Sequence, residues 1–130
     1  MEKNEATDLS DDAIVVYRQS YEEREQRRWA EREHRRQEAL TTIRQAVRAV
    51  APSYPTVQRV YLFGSVTRPG AFRPDSDVDV AVEGLDAGVC FDLWRDLEQA
   101  ASGWRLDVRP LKPGDPFSDR VRRRGVMIYE

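Results

Sequence analysis

The stretch Val60-Tyr61-Leu62-Phe63-Gly64-Ser65, followed after a short loop by Arg73-Pro74-Asp75-Ser76-Asp77-Val78-Asp79-Val80, decides how the rest of this chain is read. Val57 to Phe63 is rich in β-branched and aromatic residues and stops at Gly64-Ser65, the pattern of a buried strand running into a turn. Residues 66–76 hold Arg68, Pro69, Gly70, Arg73, Pro74 and Asp75, which is turn chemistry throughout. Asp77 to Glu83 then alternates strictly, so a second strand should turn Val78, Val80 and Val82 to one face and Asp77 and Asp79 to the other.

Two carboxylates on one face, with alpha carbons roughly 6.5 to 7 Å apart, repel each other and raise each other's pKa unless a cation intervenes. An exposed acidic strand edge is one explanation of the pair; a divalent cation site is the other. His34, the only histidine, lies in a charged segment far along the chain, so an all-oxygen site suited to a hard ion such as Mg2+ is the form to expect. The run Asp75, Asp77, Asp79 is not a calcium loop, because Val80 stands where that loop needs glycine for its sharp turn. Asp75 is read as a turn residue after Pro74. Gly64-Ser65 at a strand end lets backbone N–H groups and a hydroxyl approach a phosphate closely, although the pair is also a common turn. Downstream, Asp107 sits inside the apolar strand Arg105 to Leu111 and is the natural third carboxylate for the pair.

Working outward, residues 18–38 hold seven Arg and six Glu, with Tyr21 and Trp29 as nearly the only large apolar groups, and read as a solvated helix. Glu23 with Arg27 and Glu31 with Arg35 are spaced for i,i+4 ion pairs. Ser10, ahead of Asp11, Asp12 and the stripe Ile14, Tyr17, Tyr21, reads as the helix start. From Leu40 an amphipathic stripe, Leu40, Ile43, Val47 and Val50, should pack on a core until Pro52 and Pro55 stop it. The expected organisation is thus a charged helical extension over residues 1–39 and a globular domain over 40–130. Within the latter, Phe91 to Ala101 is expected as a helix burying Phe91, Trp94, Leu97 and Ala101. Ser118 to Arg124 should form a basic helical turn ended by Gly125, and Val126 to Tyr129 a last strand.

With 130 residues, 40% apolar and 34% charged, the chain has material for one core and no second substrate-binding domain. The net charge of −2 supplies no global field toward nucleic acid or an anionic membrane. Arg120 to Arg124 lacks interleaved aromatics, so a surface helix or a contact to an acidic partner is expected there rather than direct nucleic-acid binding. The single cysteine, Cys90, excludes an internal disulfide and a cysteine-cluster zinc site and suits the reducing cytoplasm. No apolar run approaches the roughly 20 residues of a membrane span, and no ordinary signal peptide is expected at the acidic N-terminus.

Taken together, Val-Tyr-Leu-Phe-Gly-Ser, the loop, Arg-Pro-Asp-Ser-Asp-Val-Asp-Val and a later strand Asp resemble the minimal nucleotidyltransferase domain of the polymerase-beta-like superfamily, over about residues 40 to 130. The resemblance implies an α/β (α+β) nucleotidyltransferase fold, a small mixed β-sheet packed against helices. It implies that Gly64 and Ser65 bind nucleotide phosphates, that Asp77 and Asp79 hold Mg2+ as a pair of ions, and that Asp107 completes the metal site and can act as general base. Arg68 and Arg73 match basic positions of the family loop, for phosphate contact or as solvated loop residues. The Ser65 to Asp77 interval holds eleven residues where the family has ten, with Pro69 as the apparent insertion. Small-molecule members normally carry an extra helical domain, whereas stand-alone members resemble antitoxins of HEPN-domain ribonuclease toxins, which transfer AMP from ATP to a toxin tyrosine. The expected activity is therefore Mg2+-dependent adenylylation of such a protein partner. The alternatives are a non-catalytic binding module docking through Tyr17, Tyr21 and Trp29, and a small-molecule nucleotidyltransferase that borrows its acceptor site from a dimer partner.

Overall fold

The computed structural model describes residues 2–130, with side-chain surroundings from Ser10 onward. One helix, α1 (Glu2–Val50), leads to a single 3-10 turn with Pro52 in its first positions. The strands β1 (Arg59–Phe63), β2 (Val78–Glu83), β3 (Leu106–Pro110) and β4 (Val126–Tyr129) follow, with α2 (Ala87–Ala100) between β2 and β3 and α3 (Pro116–Arg124) before β4. Helix α1 starts at Glu2 rather than at Ser10, because the chain offers no Gly or Pro to break it before Pro52 and a serine inside a helix costs only a fraction of a kcal/mol, about 0.5. None of the helices among the described residues is long and apolar enough to cross a membrane.

The chain divides into two compact units, Met1–Glu31 and Arg32–Glu130. Among the described residues of the first, Ile14, Val16, Tyr17, Tyr21 and Trp29 are exposed. Its ion pair closes at i,i+3, Glu25 to Arg28 at 2.6 Å, rather than at the expected Glu23–Arg27.

In the second unit the strands form one mixed sheet in the order β3-β2-β1-β4, with β1 antiparallel to β2 and β4, and β2 parallel to β3. Alternation gives the sheet two apolar faces. Val78, Val80 and Val82 pack with Ile43 and Val47 of α1 and Leu93 and Leu97 of α2, whereas Tyr61 and Ala81 meet Leu111 and Val121. Helix α2 is rotated from the expectation. Cys90, Leu93 and Leu97 are buried, and Phe91 is 72% exposed, stacked parallel on Trp94 at 6.3 Å. Both stripes have helical spacing, and the narrower residues fit the closely packed valine face.

The loop between β1 and β2 is built more firmly than its turn composition indicates. Gly64–Thr67 is a 3-10 turn, and Arg68 to Ala71 closes a reverse turn, Ala71 N–H donating to the Arg68 carbonyl at 3.2 Å, with Pro69 and Gly70 (φ +75°) at its centre. The end of the charged helix grips both pieces. Arg32 donates to the Gly70 carbonyl at 3.1 Å, Gly70 N–H donates to Glu33 at 3.1 Å, and Arg36 donates to the Val66 carbonyl at 3.1 Å. Arg36 is buried and also pairs with Glu33. That guanidinium, with help from the Gly70 and Gln37 donors, pulls the Glu33 carboxyl down to about 2. Val66 and Phe72 are fully buried, and Phe72 leans on Trp104, over which Arg35 lies at 4.5 Å.

Phe72→Ala should lower the unfolding free energy by about 3–5 kcal/mol, measurable by urea denaturation. A folded-state pKa held below the unfolded value contributes stability above the unfolded value that is lost as pH falls through the folded one. The gap between the denaturation midpoints of the native chain and Glu33→Gln should therefore be full at pH 7 and narrow as pH falls from 4.5 toward 2.

Candidate active site

The register of three strands assembles the site. Asp79 pairs with Asp107 across the parallel β2–β3 ladder and with Phe63 across the antiparallel β1–β2 ladder. Side-by-side residues share a face, so Asp79 and Asp107 stand together on the side of the sheet that carries Tyr61 and Ala81. Asp77 lies one residue ahead of β2 rather than inside it. Gly64 follows Phe63 directly with φ +73°, and a Cβ built there would overlap the Asp79 carboxylate and stand 3.3 Å from its Cγ. The glycine is required twice over, by its left-handed backbone and by the carboxylate that occupies the space of a side chain.

Asp79 is half-buried and its pKa rises to about 6. Burial is the largest cause, the Asp107 charge adds to it, Arg109 works against it, and Asp77 adds a smaller push. The other two carboxylates have cationic neighbours. Asp77 faces Arg105 at 3.4 Å, and Arg105 also donates to the Asp75 carbonyl; Asp107 pairs with Arg109 at 3.1 Å, whose guanidinium lies over Phe117. Three neighbouring carboxylates, two of which oppose the ionisation of Asp79, are the donor chemistry a hard divalent ion needs, so the residues fit Mg2+. With Asp77 and Asp107 turned to their arginines, no group of three among the described residues closes as a ready-made cage.

The remaining expected site residues divide. Gly64 and Arg68 line a cleft of about 470 Å3 together with Phe63, Phe117, Arg120 and Arg124. Ser65 lies half-buried in the 3-10 turn beside it. Arg73 is not among the cleft's lining residues; its N–H donates to the Ser76 hydroxyl, and its carbonyl accepts from Ser76, closing the turn that contains Asp75. Arg120 and Arg124 read from the sequence as part of a surface helix or a contact to an acidic partner, and their place beside Gly64 comes from the α3–β1 packing that no local pattern encodes. His34, set aside as a ligand from the sequence, pairs with Glu38 on the exposed side of α1.

Residues 45–130 match the family model described as Polymerase beta, Nucleotidyltransferase. The fold is similar to the crystal structure of the toxin-antitoxin MntA-HepT, with a TM-score of 0.51 and 21% identity over 69% of this chain and 71% of that one. A mutant of that toxin-antitoxin also has a TM-score of 0.51, at 24% identity over 65% of this chain and 67% of the other. No curated protein matches the sequence.

Gly64→Ala should cost at least about 1–3 kcal/mol for the strained backbone alone, and it should displace the Asp79 carboxylate. Thermal melts with and without added Mg2+ check both parts: the variant should melt lower and gain less from the ion than the native chain.

Proposed function

The chain belongs to the polymerase beta nucleotidyltransferase family, and from that premise we propose that it transfers AMP from ATP to a tyrosine hydroxyl of a partner protein. The observation that supports this best is the juxtaposition of Asp79 with Asp107 on one side and bare Gly64 on the other. In the proposed site Asp77, Asp79 and Asp107 would hold Mg2+, which when bound neutralises phosphate charge and lowers the pKa of an attacking hydroxyl.

The chain's own groups do the rest. Gly64, Ser65 and Arg68 bind the nucleotide phosphates, with Arg73 a further candidate at the end of the same loop. The acceptor oxygen forms a bond to the α-phosphorus as the bond to the bridging oxygen breaks, its electron pair leaves with pyrophosphate, and the acceptor's proton passes to the Asp107 carboxylate. This chemistry needs positioning and charge more than a protein nucleophile, and no Ser-His-Asp arrangement enters it. The acceptor hydroxyl comes in trans, from the partner protein. As the partner we propose a HEPN-domain ribonuclease toxin, in keeping with a fold shared with a toxin-antitoxin, and as the place the cytoplasm.

One observation favours a second reading, neutralisation by contact alone: Val16, Tyr17, Tyr21 and Trp29 are exposed on the described part of the first unit. One double variant separates the two. Asp77→Asn/Asp79→Asn should reduce transfer to the copurifying partner by at least about a hundredfold, the scale of losing one preorganised electrostatic group. Intact mass spectrometry of the partner after incubation with Mg2+ and ATP reads it. Transfer that persists in the variant refutes the catalytic assignment, and neutralisation that persists without transfer establishes the contact reading.

A further inference from the structure

Three arginines line the cleft beside Gly64, and no carboxylate is among its lining residues. Arg120 and Arg124 are four residues apart on α3 and therefore on one face of it; Arg68 comes from a different element, the end of the 3-10 turn. The intervening arginines are engaged elsewhere. Arg122 pairs with Asp119 at 3.4 Å and reaches Glu83 at 3.5 Å, and Arg123 donates to the Asp119 carbonyl. Arg68, Arg120 and Arg124 are exposed and form no ion pair with any described carboxylate.

The helix that presents two of them is held firmly. Pro116 opens α3, and the Asp115 carboxylate accepts from the Ser118 N–H at 3.3 Å and from its hydroxyl at 2.9 Å. Ser118 is fully buried, and its oxygen accepts from Lys112 N–H at 2.8 Å. Phe63 and Phe117 meet edge to face at 5.2 Å and form an apolar wall of the cleft, which strengthens any charge interaction along it.

Uncompensated positive charge along a cleft that meets the Asp79 carboxylate at Gly64 describes a ligand that is anionic for several ångströms and can share a divalent ion at one end. A polyphosphate chain meets that description, and guanidinium forks suit its oxygens better than ammonium groups do. We propose that Arg120 and Arg124, with Arg68, hold the β- and γ-phosphates of the nucleoside triphosphate and retain the pyrophosphate as it leaves. This rests on the nucleotidyltransferase reading and adds α3 to the site.

The test titrates the full chain with tripolyphosphate, pyrophosphate and AMP by calorimetry without added metal, so that it does not depend on transfer. Arg120→Ala/Arg124→Ala should weaken tripolyphosphate and pyrophosphate by at least about tenfold, the scale of two lost charge-assisted contacts, and leave AMP unchanged. In the transfer assay the same variant should raise KM for ATP. Circular dichroism verifies the fold, and Arg120→Gln and Arg124→Gln singly provide the second test, each expected to weaken tripolyphosphate in part. Tripolyphosphate affinity within twofold of the native chain overturns the proposal, and so does an equal loss for AMP. If Asp77→Asn/Asp79→Asn leaves transfer intact while tripolyphosphate binding still depends on Arg120 and Arg124, the catalytic assignment fails and the anion site stands.

Discussion

A carboxylate pressed against a bare backbone carbon is the constraint around which this domain is arranged. Asp79 occupies the space where residue 64 would otherwise carry a side chain, so the strand end, the turn after it and the acid pair form one object. Its energetics run against stability. Burial and two neighbouring carboxylates hold the Asp79 carboxyl at about 6, so ionising it at neutral pH costs the folded state. A fold selected only for stability would place an apolar residue there, as it does at Val78, Val80 and Val82 on the opposite face. Locally unfavourable electrostatics inside an otherwise consistent sheet are what a site for a cationic ligand requires.

The compensation lies a short distance away, in the last turns of α1. Ile43 and Val47 anchor that helix in the core, and the turns just before them meet the β1–β2 loop with Arg32, Glu33 and Arg36. A buried guanidinium is tolerated because its donors are taken up by a carboxylate and a carbonyl. One element thereby serves both the core and the loop that carries Arg68.

Much of this was legible in the sequence. The alternation of residues 77–83, the Gly64-Ser65 stop and Asp107 among apolar neighbours are local signals, and the strands formed within a residue or two of where those signals place them. The misses are long-range. Arg36 looks like any other arginine of a solvated helix until Val66 and Glu33 are beside it, and Phe72 is hidden in a turn-rich segment whose composition says nothing of what lies beneath. Phe91 and Cys90 sit on adjacent helical stripes, and it is the packing of α2 on the sheet that buries Cys90 and leaves Phe91 exposed. Arg120 and Arg124 acquire meaning only from the packing of α3 beside β1, through Val121 against Tyr61.

The reverse turn Arg68-Pro69-Gly70-Ala71 has a bearing on how such a domain can change over generations. It lies between two buried pegs, Val66 and Phe72, and is tied at Gly70 through both backbone groups. Lengthening a loop by one residue costs little closure entropy, and here the added residue, Pro69, falls in the turn between the two pegs, away from the acids in sequence. The turn that contributes Arg68 can therefore change in length between its fixed ends while Asp77, Asp79 and Asp107 keep their strand positions. Lineages built on this frame can alter how they grip a ligand's anionic end before they alter the chemistry performed on it.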